Sequence, residues 1–280
     1  MKTKIKLFAV LFIGLAVALT SCNKQDENSP ATDNNTNYSK DNSLAESVYD
    51  NVTNIANEAY DYASSGYQKS TDGGWLYLSD CATVTLDTTV MPRVLTIDFG
   101  EENCLCGDLK YRRGKIIVTF TGGYRHPGTV ININFEDYYV NDNNVDGTKV
   151  ITNMGLNDAG NLYYNISVTG VIHLSLDRGT LSWNSTRVRE WTEGVDTRKL
   201  RDDVYLITGS ATGIRANGHT WEMEITNPLR KELSCRYIVS GTVEITPEGL
   251  STRILDYGDG ECDNIATVII DGVTYTIFLH

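Results

Sequence analysis

The stretch LYYNISVTGVIHLSL constrains the fold more than any other part of the chain. Leu162, Tyr164, Ile166, Val168, Ile172 and Leu174 occupy alternate positions, with Asn165, Ser167, Thr169 and His173 between them. Successive side chains of a strand point to opposite faces, so period two describes a strand with one face buried and one in water. A surface helix needs a period near 3.6 instead. The same alternation runs through TVININFEDYY, with Ile131, Ile133 and Phe135 opposing Asn132, Asn134 and Glu136. The separators are Asn141-Asp142-Asn143-Asn144, Asp177-Arg178-Gly179 and Asn217-Gly218. Residues of these types tolerate positive φ and close hairpins. No helical pattern lies between the strands, so parallel crossovers are not expected. The predicted class is mainly β, a large antiparallel meander of about a dozen strands starting near residue 75. A flat sheet of that size leaves an apolar face in water, so it must curl into a half-barrel or barrel, or fold into a sandwich.

One segment has helical period. In SLAESVYDNVTNIANEAYDYA, Leu44, Val48, Val52, Ile55 and Ala59 recur at steps of three and four, which predicts an amphipathic helix over about 43–64. Asn42 or Ser43 serves as its cap, Glu46 falls at the capping-box position, and Gly66 ends it. Apolar on one side, such a helix is expected as a lid over the concave face of the sheet.

The N-terminus speaks to location. Three lysines lie within Met1 to Lys6, followed by an apolar run from Leu7 to Leu19 and then Thr20-Ser21-Cys22. A basic start with a short apolar core makes a secretory signal, whereas a membrane-spanning helix needs about 20 apolar residues. Leu19-Thr20-Ser21-Cys22 resembles the lipobox of bacterial lipoproteins, which implies a signal peptide over 1–21, cleavage before Cys22 and acylation of its thiol. The stretch that follows, 22–41, is almost devoid of apolar residues and reads as a flexible polar tether, leaving 42–280 as a single β-rich domain. Lys24 followed by Asp26-Glu27 resembles the acidic export signal of some Bacteroidota lipoproteins, which implies an outer-membrane lipoprotein carried to the cell surface, with a periplasm-facing anchor as the alternative. The net charge is -12, and subtracting the three signal lysines takes it to -15. A surface that acidic is repelled by phosphate backbones, so the expected contacts are the membrane, through the Cys22 anchor, and an envelope or extracellular ligand, with no nucleic acid.

One acidic phrase occurs twice. Asp98-Phe99-Gly100-Glu101-Glu102-Asn103-Cys104 and Asp256-Tyr257-Gly258-Asp259-Gly260-Glu261-Cys262 share the pattern D-[FY]-G-[DE]-x-x-C. Each follows a short strand that opens with Arg, and each has an earlier cysteine heading a strand, Cys81 and Cys235. Calcium is the obvious alternative, but an EF-hand frame from Asp259 puts Asn264 at the glycine position and Ile270 at the bidentate Glu position. Cys104-x-Cys106 is too tightly spaced for a usual zinc knuckle, and no histidine flanks it. The phrase therefore reads as a corner stapled by a disulfide, which an oxidising compartment permits. Cys235–Cys262 is one expected pair. By analogy of the repeat Cys81 pairs with Cys104, with Cys106 as the competitor.

The segment CDNIATVIIDGVTY, the NCLC motif followed by RRGKIIVTFTG, and NFEDYYVNDNNVDGTKVITN resemble a family of Bacteroidota envelope lipoproteins with no assigned activity. The resemblance covers most of the chain from Cys81 onward. It implies an envelope location and a β-rich fold, and no catalytic role.

Signs of chemistry are sparse. His126, His173, His219 and His280 stand apart at no metal-site spacing, and neither HExxH nor a G-x-S-x-G elbow occurs. No cofactor, metal site or catalytic residue is predicted. One strand is unusual: in LSWNSTRVREW, alternation puts Leu181, Trp183, Arg187, Arg189 and Trp191 on one face. Arginines grip carboxylates and stack on aromatic rings, so Trp183, Arg187, Arg189 and Trp191 form a candidate ligand wall. The expected function is a lipid-anchored envelope protein whose sheet is a non-catalytic binding or interaction module. A hydrophobic-ligand carrier with a half-barrel cavity stands second, and an envelope hydrolase third. A carrier requires a continuous apolar cavity, an interaction module a filled core with an exposed aromatic patch, and a hydrolase paired acids at one mouth.

Overall fold

Period-two alternation becomes one antiparallel sheet of fourteen strands in the computed structural model, which describes residues 33–65, 74–197 and 199–279. Among the described residues a single α-helix, α1 (Asn37–Ser65), precedes them. The first strands are β1 (Thr83–Asp87), β2 (Arg93–Asp98), β3 (Cys104–Leu105), β4 (Tyr111–Phe120) and β5 (Val130–Val140). The long central strands are β6 (Asn143–Leu156), β7 (Leu162–Leu174), β8 (Gly179–Glu193), β9 (Val204–Ile214) and β10 (Thr220–Glu232). The sheet finishes with β11 (Ile238–Pro247), β12 (Arg253–Asp259), β13 (Ile265–Ile270) and β14 (Val273–Phe278). Consecutive strands pair along the path except that β2 pairs with β4, the two-residue β3 lying off the path against β4, and the path ends at β1 and β14, so the barrel is not closed.

The sheet curls around α1. The helix contacts β1, β2, β8 and β11. Because α1 runs alongside β8, with Asn42, Glu46 and Asp50 meeting Trp183, Arg187 and Arg189 in order, it presents only its width of about 10 Å across the strands. In a flat sheet with strands about 4.8 Å apart, by contrast, β1 and β11 would lie roughly 40 Å from each other. The inward residues of the strands and the apolar residues of α1 form one main core, with Ala45, Val52, Ile55, Ala56 and Ala59 fully buried.

The helix differs from expectation in two respects. It begins at Asn37, six residues ahead of the predicted start, and already buries Tyr38 and Ser39. It is also not a lid over a hollow. Residues Asn51 to Ala56 are all buried, so more than a full turn is enclosed on every side and the helix fills the concave space. Counting apolar residues alone marks one stripe, whereas here the polar stripe is buried as well because the sheet supplies partners for it. Asn42 and Glu46 accordingly hydrogen-bond to Trp183 and Arg187 of β8. The signal peptide, Cys22 and Gly66 lie outside the described residues.

The repeated phrase is one corner built twice. Asp98 Oδ1 accepts the Gly100 N–H at 2.8 Å, and Asp256 Oδ1 accepts the Gly258 N–H at 2.9 Å. Both glycines have positive φ, +81° and +103°, which an L side chain rarely adopts. The aromatic residue of each copy, Phe99 or Tyr257, turns into the core. The disulfides are Cys81–Cys104 and Cys235–Cys262, and Cys106 is a buried free thiol. Arg112, opposite Cys104 in the β3–β4 pairing, anchors the first corner through two 2.6 Å bonds to Asp108.

Candidate functional site: an acidic helix held in a basic strand groove

Strand β8 turns Trp183, Arg187, Arg189 and Trp191 inward, all four less than a tenth exposed. The ladder with β7 runs unbroken from Leu162 opposite Trp191 to Leu174 opposite Gly179, so no bulge disturbs the alternation. All four side chains of the candidate wall thus share one face. Trp183, Arg187 and Arg189 meet α1 there.

Along the helix, Asn42, Glu46, Asp50, Asn54 and Glu58 recur at every fourth position. Asn42 Oδ1 accepts the indole N–H of Trp183 at 3.2 Å. Glu46 takes Arg187 in a two-pronged pair, with Nη2 at 2.6 Å and Nε at 3.3 Å. Arg189 reaches Asp50 at 3.2 Å and Asn54 Oδ1 at 2.7 Å. One i to i+4 step advances about 6 Å along a helix, and one inward step along a strand advances about 6.6 Å. Glu46 and Asp50 can therefore face Arg187 and Arg189 in register without either element bending. Glu58 closes the series by accepting the backbone N–H groups of Leu76, Tyr77 and Leu78 at 2.7–2.8 Å.

Further ion pairs extend along the segment on both sides. Asp33 meets Arg253 of β12, Asp41 meets Arg215 at 2.5 Å, and Asp61 meets Arg125 at 2.7 Å. From the sheet, Lys149 Nζ donates to the Tyr49 carbonyl at 2.6 Å. Aromatic rings frame the charges. Trp183 stacks on Tyr49 at 5.7 Å, and the guanidinium of Arg189 lies 3.7 Å over the Tyr205 ring, an arrangement that favours a cation. Trp191 packs with Tyr205 and Leu233 in a small separate cluster.

Burial and charge oppose each other here. Burial raises the Asp50 pKa, but Arg189, Lys149 and Lys231 outweigh it and hold the carboxyl below the ordinary range. At Asp41 burial wins over Arg215, and the carboxyl is raised. Lys149 is pushed down to about 8, chiefly by burial. Asp203, just beyond the short turn at Leu200–Asp202, is pushed up to about 7 by burial and by the neighbouring Asp202 charge, against a hydrogen bond from Tyr205.

Small cavities remain between helix and sheet. One of about 30 Å³ is lined by Thr53, Tyr124, Tyr164, Arg189 and Tyr205. Another of about 20 Å³ is lined by Glu46, Asp50, Lys149, Ser185 and Arg187. Each has room for about one or two waters. Thr53 Oγ1, Ser185 Oγ and Arg189 Nε, on residues that line these spaces, make no hydrogen bond within the protein.

Period two placed the wall residues on one face, and the structure brings them together. The alternation of β8 carries no signal for the acids that meet them, although Asn42, Glu46, Asp50, Asn54 and Glu58 stand at a fourfold spacing in the sequence. Lys149 carried no signal beyond sitting at an inward position of β6. No family model, curated protein or solved structure matches the chain.

Proposed function

We propose that this chain is a lipid-anchored envelope protein that serves as a non-catalytic interaction module, tethered through Cys22 to the outer membrane. The observation that carries this reading is the occupied concave face. A carrier of hydrophobic ligands needs a continuous apolar space there, whereas α1 fills it and the two cavities described beside it measure about 20–30 Å³. An interaction module instead needs exposed apolar surface. The β3–β4 hairpin offers it in Leu105, Leu109 and Tyr111, which are 48%, 60% and 47% exposed, with Leu105 directly opposite Tyr111. Grouped exposure of this kind marks contact surfaces more often than single exposed apolar residues do.

The test is mass spectrometry of the protein purified from its native envelope, alongside a Cys22→Ser variant, under native and then denaturing conditions. The expected result is a covalent lipid mass on the wild type, none on the variant, and no mass lost from either on denaturation. A non-covalent companion released on denaturation would replace this reading with the carrier. An unmodified Cys22 would remove the anchor.

A further inference from the structure

We infer that the concave face of the sheet is a receptor groove for an acidic amphipathic helix, that α1 is its resident occupant, and that a helix of the same pattern supplied in trans can take α1's place. The inference rests on the interaction-module reading and names the kind of partner that module accepts.

Four observations converge. The helix segment and the sheet are complementary in charge along their whole contact, with Asp33, Asp41, Glu46, Asp50 and Asp61 meeting Arg253, Arg215, Arg187, Arg189 and Arg125. The matching rise of helix and strand makes β8 a ruler: Arg187-x-Arg189 reads carboxylates four residues apart, and Asn54 adds an amide one step further on. Thirdly, the contact has the character of an interface between two proteins. It is rich in arginine and tyrosine and it holds water-sized spaces bordered by polar atoms without protein partners, as wet interfaces do. Finally, the strand ladders run from β1 to β14 without the helix, and among the described residues no backbone-to-backbone hydrogen bond joins α1 to a strand. The strand-to-strand ladders are complete without the helix, whose loss removes side-chain packing and bonds that involve a side chain, including those of Glu58 to the Leu76–Leu78 N–H groups and of Lys149 to the Tyr49 carbonyl.

Because α1 is part of the same chain, its effective concentration at the groove is high, on the order of millimolar for a short connection. An outside helix competes poorly until the resident one is weakened. Charge inversion on α1 alone weakens the resident and leaves the groove intact.

The experiment uses the chain from Asn23 onward and a fluorescently labelled peptide of residues 33–65, with binding read by anisotropy. The Glu46→Lys/Asp50→Lys chain is expected to bind the peptide at least about tenfold more tightly than the wild type does, a difference of about 1.4 kcal/mol. A peptide carrying the same two lysines should not bind it, and should bind instead to an Arg187→Glu/Arg189→Glu chain whose own helix is repelled. A double variant that keeps its β circular dichroism yet binds neither peptide, or binds both equally, overturns the inference. If the variants do not fold, a wild-type chain cut at a protease site engineered between Ser65 and Gly74 serves in their place. Native mass spectrometry should then show labelled peptide replacing the resident helix, and a cut chain that never exchanges overturns the proposal. Failure here together with a lipidated and otherwise bare wild-type mass removes the receptor groove and leaves the module standing. Release of a bound companion removes both.

Discussion

Removing the Arg187 guanidinium while Glu46 stays in place tests how the helix is held. Both side chains are 4% exposed, and Arg187 also donates to the backbone carbonyls of Thr186 and Ser210. Arg187→Ala leaves a carboxylate where water hardly reaches. Truncating one partner of a buried ion pair costs about 3–5 kcal/mol, because the other charge stays desolvated. At about 2–4 °C per kcal/mol for a domain of this size, the melting temperature falls by on the order of 10 °C. The molecule contains its own control in Arg230 and Glu193, 2.9 Å apart but 33% and 57% exposed. Arg230→Ala should cost less than about 1 kcal/mol, although Arg230 also pairs with Glu232. Replacing the buried pair together, as Glu46→Leu/Arg187→Met, should be near neutral or stabilising, since neither residue then pays for desolvation. Urea unfolding followed by tryptophan fluorescence reads all three, because Trp183 stacks on Tyr49 inside the same contact. An Arg187→Ala variant no less stable than Arg230→Ala would mean that the groove is open to water, and the burial argument would be wrong.

Asp203 sets a pH dependence. Its folded pKa of about 7 lies above the ordinary value, so between about pH 4 and 7 the folded state holds a proton that the unfolded chain has lost. Stability therefore falls as pH rises through that window, and Asp203→Asn should flatten this part of a stability-against-pH curve. A slope unchanged by the substitution would assign the effect to another group. Opening either disulfide, by Cys81→Ser or Cys235→Ser, should cost about 3–4 kcal/mol in the chain-entropy view, nearly equal because the loops are alike in length. In the chain from Asn23 onward, thiol titration should find the one free cysteine, Cys106, only after unfolding. Gly170→Ala should destabilise by about 1–3 kcal/mol, since a β-carbon there would stand 2.3 Å from the Tyr49 ring. Loss of the Tyr49–Trp183 stacking signal in near-ultraviolet circular dichroism would accompany it.

Much of the architecture followed from local rules. Alternation in β5 and β7 is a property of the strand itself, so it showed in the order of residues, as did the turn at Asn141-Asp142, where both residues hold positive φ. The repeated corner was legible because the same backbone problem recurs, an Asp accepting its own turn's N–H with a glycine beside it. The same periodicity put Trp183, Arg187, Arg189 and Trp191 on one face before any contact was known. The helix start was harder. Asn42, Ser43 and Glu46 match a capping signature, but the pattern that suits a free helix end suits equally well a polar stripe inside a protein.

Spacing along the chain determined the strands, the turns, the stapled corners and the inward face of β8, because each arises within a few residues of backbone geometry. Tertiary structure alone decided what that face touches. Arg187 and Glu46 are 141 residues apart, and no local period can encode a pair at that distance. They meet because the sheet curls far enough for strands nine places apart in its order to touch one helix, which encloses the polar side of α1 along with its apolar side and turns a row of ordinary surface acids into buried partners.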